Sequence, residues 1–242
     1  MKRLLKSFFA VVIVVVLAFF IYNAVKTRQL NINQWFANGQ ILGVDISLYQ
    51  EDVDMEKLAS QGVQFVYIKA TEGSKYVDKD FQKNWENALR AEIPAGAYHY
   101  FSYKESGLAQ AAHFIETIGD LEGRLIPAID MELTPKEAED PPKKEDVVKS
   151  LRAMVAALEE EYGVKPMIYA QKDYYDLYLA EDFKDYPRWV RNVYYPVFLD
   201  AGDAWSVWQY NDRGILEGYS GEKYIDLNIV NSTKGLEALR FR

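Results

Sequence analysis

Two carboxylates separated by a single residue, Asp130 and Glu132, follow an apolar run at residues 125–129. The run has strand character, and side chains on a strand alternate faces, so the two acids should point the same way with Cα atoms roughly 6.5 Å apart. Two like charges held this close do not both ionise readily, so we expect the pKa of one carboxyl to be raised. A protonated acid beside an ionised partner suits acid-catalysed cleavage of a glycosidic bond. Taken alone, however, Asp-x-Glu is more often a strand end with two solvated acids.

The elements that must position these acids alternate between short apolar runs and helical patterns. The strands are predicted at 41–46, 65–70, 95–101, 125–131, 167–170, 189–192, 205–210 and 224–227. The helices are predicted at 54–61, 78–92, 107–119 and 144–162, with a weaker one at 173–179. Near-continuous apolar strands joined by crossover helices indicate a parallel sheet covered on both faces, and eight of them in about 200 residues favour a closed α/β barrel. The last three strands have loop-like connections, so we expect an irregular barrel there.

Acidic residues recur at the ends of the predicted strands. Asp45 ends the first strand, Glu72 follows the second, Asp130 and Glu132 end the fourth, and Asp226 ends the eighth. Reactive groups of β/α-barrels lie at the carboxyl ends of the strands, so these acids should meet at one barrel mouth. Singly, the aspartates at the first and eighth strands could cap turns, and the glutamate after the second could pair with a loop amide or a lysine. Their coincidence at one face favours a functional site.

Aromatic and amide side chains lie at the same strand ends. Tyr98 and His99 end the third strand, Tyr169 the fifth, and Trp208 and Gln209 the seventh. Aromatic faces stack on the apolar C–H faces of sugar rings, which suits a carbohydrate site. The tyrosines and the tryptophan could equally be core residues, and the histidine a hydrogen-bonded wall.

Composition excludes several other classes. The chain has no cysteine and only two histidines, so thiolate chemistry and a histidine-rich metal site are not expected. Five of the 28 basic residues precede the first acid, which leaves 23 basic against 36 acidic side chains in the remainder. So acidic a domain is a poor candidate for binding nucleic acid. Neither a Gly-rich phosphate loop nor Gly-x-Ser-x-Gly is present.

The N-terminal region has the composition of a membrane segment. A basic head precedes an apolar stretch at residues 7–25 that is long enough to cross a bilayer as a helix. We predict an uncleaved signal-anchor at 1–28, because Tyr22 stands where a cleavage site needs a small residue; the alternative is secretion after cleavage. The basic head should stay in the cytoplasm and place the domain outside the membrane. Residues 29–40 are predicted to be a linker, and 41–242 the catalytic domain.

Six motifs together resemble the glycoside hydrolase family 25 lysozymes. They are 43–47 (Gly-Val-Asp-Ile-Ser), 65–73 (Phe-Val-Tyr-Ile-Lys-Ala-Thr-Glu-Gly), 96–100 (Gly-Ala-Tyr-His-Tyr), the Asp130/Glu132 pair, 208–210 (Trp-Gln-Tyr) and 226–228 (Asp-Leu-Asn). The resemblance implies a flattened β/α-barrel, TIM-barrel-like, of about five helices and eight strands. It also implies hydrolysis of the β-1,4 bond between N-acetylmuramic acid and N-acetylglucosamine in peptidoglycan. Departures from the family, at 189–192 and in the charged loop 137–146, bear on substrate details.

The resemblance also implies roles for individual residues. Glu132 would be the general acid, its pKa raised by Asp130 and by partial burial, and Asp130 would tune it and stabilise positive charge on the sugar or its N-acetyl group. Asp45 and Asp226 match the other two active-site aspartates. The predicted substrate-binding residues are Tyr98, His99, Tyr169, Trp208, Gln209 and Glu72. The expected partners are peptidoglycan glycan strands and, through residues 7–25, the lipid bilayer; no cofactor, metal, nucleic acid or protein partner is predicted.

Two alternatives stay open beside this hypothesis. A chitinase-like hydrolase also uses Asp-x-Glu at a strand end, but that family has further aspartates upstream, where this chain has Leu125, Ala128 and Ile129. A membrane-tethered peptidoglycan-binding domain without activity is the other, and the intact set of four acids argues against it. The identity of the nucleophile is left open between a carboxylate, water and the N-acetyl carbonyl of the substrate.

Overall fold

A computed structural model of the chain describes residues 2–242, with side chains described from Ser7 onward. The charged groups of the basic head at residues 1–6 therefore lie outside the described part.

Eight strands close into a barrel, which confirms the predicted fold class. The strands in chain order are β1 Leu42–Ile46, β2 Val63–Glu72, β3 Tyr76–Val77, β4 Ala95–Tyr100, β5 Ala128–Asp130, β6 Met167–Gln171, β7 Arg188–Arg191, β8 Val207–Gly214 and β9 Ile225–Val230. All except β3 belong to the barrel, which closes because β1 pairs with both β2 and β9. The short β3, which the sequence did not predict, pairs back on β2 as an antiparallel hairpin.

Two helices precede the first strand, and the others lie between strands, where the longer ones pack on the outside of the barrel. The helices are α1 Lys2–Lys26, α2 Asn33–Ala37, α3 Met55–Ser60, α4 Phe81–Arg90, α5 Gly107–Ile118, α6 Pro135–Glu139, α7 Lys144–Tyr162, α8 Lys172–Tyr174 and α9 Phe198–Ala201. Local chemistry fixes several ends: the Asp54 and Ser106 side chains accept hydrogen bonds at the N-termini of α3 and α5, and Gly163 ends α7 in the left-handed conformation.

The strand order corrects the expectation of an all-parallel barrel. β9 runs antiparallel to both of its neighbours, β8 and β1. A parallel crossover needs a dozen or more residues, usually with a helix, whereas only residues 215–224 separate β8 from β9. The chain therefore returns directly, and β9 begins at the end of the barrel where the parallel strands finish.

Alternation along the strands creates two cores. One fills the barrel interior with large aromatic side chains, among which Trp189 contacts Tyr67 and Tyr169 with ring centroids 5.0 Å apart. The other packs the outer face of the sheet against the helices. The interior is crowded: a Cβ added at Gly96 would lie 2.2 Å from the Tyr67 ring. Glycine there leaves room for the aromatic filling.

The segment that joins the N-terminal helix to the barrel is folded rather than an extended linker. Ser7–Lys26 of α1 spans 20 residues with a mean hydropathy of 2.8 and is unburied, so it has the length and composition to cross a membrane. The expected linker at 29–40 contains α2, where the fully buried Asn33 side chain donates to the carbonyls of Asn192 (2.9 Å) and Tyr210 (3.2 Å). This segment is thus packed on the barrel, because one buried amide fixes a stretch whose composition is typical of a linker.

Candidate active site

A cleft of about 620 Å³ opens at the carboxyl ends of the parallel strands. Its walls include the four acids that the sequence singled out: Asp45, Asp130, Glu132 and Asp226. The predicted binding residues that also line the cleft are Tyr98, Tyr169, Gln209 and Glu72. Glu72 lies at the cleft in an ion pair with Lys69 (2.7 Å).

The antiparallel β9 brings Asp226 to the cleft from the start of a strand rather than its end. Asp226 lies directly opposite Asp45 in the β1–β9 ladder. The two carboxyl groups lie within hydrogen-bonding reach of each other. Burial, followed by the charge of Asp45, raises the pKa of Asp226 well above that of an ordinary aspartate.

Asp45 is the acceptor at the centre of this network. Its Oδ2 accepts hydrogen bonds from Asn228 Nδ2 (2.7 Å) and Gln209 Nε2 (3.1 Å). Burial raises the pKa of Asp45 to about 6, while the hydrogen bonds from its donors act in the opposite direction. Asp45 is therefore ionised above pH 6, inside a ring of donors that stabilise the anion.

Asp130 carries the raised pKa of the central pair. Burial is the largest cause, and the charges of Glu132 and Asp45 add to it. Its Oδ1 is buried and has no hydrogen-bond partner among the described residues. The expectation that one carboxyl of the pair has a raised pKa therefore applies to Asp130.

The Tyr169 hydroxyl holds Glu132 by a hydrogen bond, and it lies close to two possible acceptors for its single proton. The Tyr169 hydroxyl lies 2.9 Å from Glu132 Oε1 and 3.0 Å from Gln209 Oε1. When Glu132 is ionised, the hydroxyl donates to it. When Glu132 is protonated, it can donate to the hydroxyl, which then donates to Gln209, whose amide already donates to Asp45. Glu132 and Asp45 are thus joined by a continuous chain of hydrogen bonds.

Two predicted binding residues do not line the cleft. His99 is fully buried between Thr71 Oγ1 (2.7 Å) and Gln110 Oε1 (3.0 Å), and burial lowers its pKa to about 4. Trp208 is buried in the outer core and donates from Nε1 to the Asn192 carbonyl (2.8 Å). His99 and Trp208 are therefore not cleft residues, contrary to expectation. Side chains alternate along a strand, and because Tyr98 and Gln209 face the cleft, the residues next to them face the helices.

Some cleft residues were missed from the sequence. Asn228 links the cleft to the interior core, since it donates to Asp45 and accepts from Trp189 Nε1 (2.8 Å). The spacing of Asp226 and Asn228, which repeats that of the central pair, could have indicated it. Arg191 also lines the cleft and pairs with Asp212 (2.9 Å), but no local pattern marks this pair. Within residues 2–242 no group of three or more His, Asp or Glu side chains is arranged to hold a metal ion.

A closed β/α-barrel with paired carboxyl groups at its mouth has the architecture and site of a glycoside hydrolase. The sequence model of glycosyl hydrolases family 25 matches residues 44–219, and the chain belongs to this family.

Individual relatives agree with this assignment. The uncharacterized protein YegX of Escherichia coli K12 is 34% identical over 220 residues, which cover 89% of this chain and 77% of that protein. An autolytic lysozyme of Clostridium acetobutylicum is 32% identical over 185 residues, covering 76% of this chain and 54% of that protein. Among solved structures, a family 25 glycosyl hydrolase from Bacillus anthracis superposes with a TM-score of 0.75 and 42% identity, covering 81% of this chain and 91% of that one.

Proposed function

We propose that this chain is a lysozyme that hydrolyses the β-1,4 bond between N-acetylmuramic acid and N-acetylglucosamine in bacterial peptidoglycan. The observation that carries the proposal is the cleft of a family 25 barrel in which Glu132, held by the Tyr169 hydroxyl, stands beside Asp130, whose pKa is raised by burial. The relative named autolytic lysozyme supports the same activity.

In the proposed reaction, Glu132 gives a proton to the glycosidic oxygen as the bond to the anomeric carbon breaks. The bonding electron pair leaves with that oxygen, and one water molecule is consumed overall. The proton leaves Glu132, so its transfer to the substrate adds a negative charge to the site, and a proton from the attacking water restores the acid at the end of the reaction. That charge, together with ionised Asp45, stabilises the positive charge that develops on the sugar. Asp130, which lines the cleft beside Glu132, is the carboxyl group that would face the N-acetyl substituent.

The test is release of new reducing ends from purified peptidoglycan by the full-length protein in detergent, with Glu132→Gln alongside. We expect new ends that carry N-acetylmuramic acid, and a loss of at least 100-fold in rate for the variant, since general acid catalysis contributes about 10²–10⁴-fold. New ends that carry N-acetylglucosamine would contradict the assigned bond. Binding to the wall without any release would instead indicate a wall-binding domain that lacks activity.

We further infer that residues 7–25 form an uncleaved signal-anchor, with the catalytic domain at 41–242 outside the cytoplasmic membrane. The support is the length and hydropathy of Ser7–Lys26 together with the basic residues Lys2, Arg3 and Lys6 that precede it in the sequence, which favour a cytoplasmic N-terminus. N-terminal sequencing of the protein recovered from membranes checks this. A mature chain that begins after Ala24 would show that the segment is a cleaved signal peptide and that the protein is secreted.

A further inference from the structure

The segment that connects the end of the apolar helix to the barrel is very short. α1 ends at Lys26, and two residues later the Arg28 guanidinium donates to the Asp212 carboxylate (Nη2–Oδ2 3.1 Å) and lies 4.2 Å above the Tyr194 ring. Two extended residues reach at most about 7 Å. If α1 spans the bilayer, the barrel surface at Asp212 and Tyr194 must therefore lie at the level of the lipid headgroups, which extend roughly 5–7 Å beyond the hydrocarbon.

The same surface exposes a set of large apolar side chains, which we call the juxtamembrane patch. It consists of Trp35 and Phe36 on α2, Tyr194 and Tyr195 after β7, and Phe198 and Leu199 on α9. The two helices meet through an edge-to-face contact of the Phe36 and Phe198 rings, 5.5 Å between centroids. Trp35 is 73% exposed and Leu199 65%, values that are costly for side chains of this size in water. A contiguous apolar patch marks an interaction surface, whereas a single exposed leucine does not.

The patch is rigid and lies next to cationic groups. α2 cannot swing away from the barrel, because the buried Asn33 amide ties it to the backbone of the strands behind it. Lys26, Arg28 and Arg213 surround the junction, and the guanidinium of Arg213 is 3.5 Å from the Thr27 carbonyl. Aromatic side chains beside basic ones are the composition that favours the headgroup layer of a membrane, where phosphates meet the basic groups and rings reach the acyl boundary.

We propose that the juxtamembrane patch docks the catalytic domain on the outer surface of the lipid bilayer, with its apolar side chains in the boundary between headgroups and acyl chains. The proposal rests on the signal-anchor and on the hydrolase function proposed above. It also specifies the substrate, because Asp212 and Arg191 line the cleft. The barrel mouth then opens at the membrane surface, and the glycan strands within its reach are those next to the membrane rather than the outer layers of the wall.

The absence of cysteine allows a direct test with single labelled sites. Leu199→Cys and Leu89→Cys in the full-length protein are each spin-labelled and reconstituted into vesicles of phosphatidylglycerol and phosphatidylethanolamine. Leu89 on α4 is the matched control, since it is 60% exposed and α4 joins strands on the opposite side of the barrel. We expect the label at position 199 to be several-fold more accessible to oxygen than to a water-soluble nickel chelate, and the label at 89 to show the reverse.

Equal, water-like accessibility at both positions would overturn the docking. Reducing-end release from soluble peptidoglycan fragments is measured on the same samples, so that the two proposals fail separately. If the labelled protein hydrolyses the fragments while position 199 stays in water, the hydrolase proposal is supported and the docking proposal is contradicted. If the protein is inactive but position 199 lies in lipid, the docking proposal is supported and the hydrolase proposal is contradicted.

Discussion

At the scale of single residues, the chemistry of the cleft depends on which of its carboxyl groups carry a proton. The four acids that the sequence singled out share the cleft with further carboxylates and with the cations of Lys69 and Arg191. Burial and mutual repulsion raise the pKa of Asp130 and Asp226, which favours their neutral forms, while Asp45 is the acceptor at the centre of the donors. The site thereby avoids an excess of buried negative charge and keeps an acid available for proton transfer.

The Tyr169 hydroxyl is expected to hold Glu132 in position for proton transfer. Tyr169→Phe removes the donor at 2.9 Å while keeping the ring. Because a hydrogen bond to a charged group contributes about 1.5–3 kcal/mol, we expect kcat to fall roughly 10–100-fold. Tyr162→Phe, whose hydroxyl donates to the Gly119 carbonyl, is the control. An unchanged kcat in Tyr169→Phe would mean that the hydroxyl does not act on the acid.

Asp130 is expected to lower stability while it supports activity. Because its folded pKa is raised, the folded chain keeps a proton that the unfolded chain releases above about pH 4, which costs folding free energy, and Asp130→Asn removes this cost. We predict a melting temperature several degrees above wild type at pH 8, a smaller difference below about pH 3 where both states bind the proton, and a large loss of hydrolysis. Asp140→Asn, at an exposed position, should leave both properties unchanged. A variant less stable than wild type at pH 8 would contradict the assignment.

At the scale of elements, the alternation of strands decides what reaches the cleft. β4 presents Tyr98 inward and His99 outward, and β8 does the same with Gln209 and Trp208. Trp189 on β7 connects the packing of the barrel interior to the acidic cleft, because its ring contacts Tyr67 and its Nε1 donates to Asn228.

The Gly96 position of β4 tests this connection. In Gly96→Ala the new Cβ would lie 2.2 Å from the Tyr67 ring and push it toward Trp189. Overpacking of this kind costs about 1–3 kcal/mol, so we expect a lower melting temperature and reduced hydrolysis together. Urea unfolding followed by circular dichroism measures the first effect. Gln64→Ala, at an exposed position of the neighbouring strand β2, is the control, and equal stability of the two variants would show that the interior has room to spare.

At the scale of the whole molecule, the buried groups determine how stability varies with pH. Three cleft aspartates have folded pKa values above those of the unfolded chain, so each loses stability as pH rises, for Asp45 between about 4 and 6. His99 opposes them, since its pKa is lowered to about 4 and its contribution is lost as pH falls from 6.5. Three groups outweigh one, so we predict a higher melting temperature at pH 5 than at pH 8. Calorimetry of wild type and Asp45→Asn checks this, and a melting temperature that rises toward pH 8 would contradict it.

The sequence by itself determined the barrel and the acids at its mouth. Apolar runs alternating with helical patterns are local signals, and chain order then allows few closed arrangements, so the eight strands and the helix at residues 144–162 could be predicted. The acids at strand ends followed from the same order, because the carboxyl ends of parallel strands meet at one face.

Only the tertiary structure decided the direction of β9, the outward orientation of His99 and Trp208, and the location of the raised pKa on Asp130. It also placed Arg28 on Asp212, far away along the chain. Strand direction depends on closure of the whole barrel, and orientation depends on which residue of a strand faces the shared interior. A pKa depends on burial and on charges brought together from distant segments, none of which a local pattern contains.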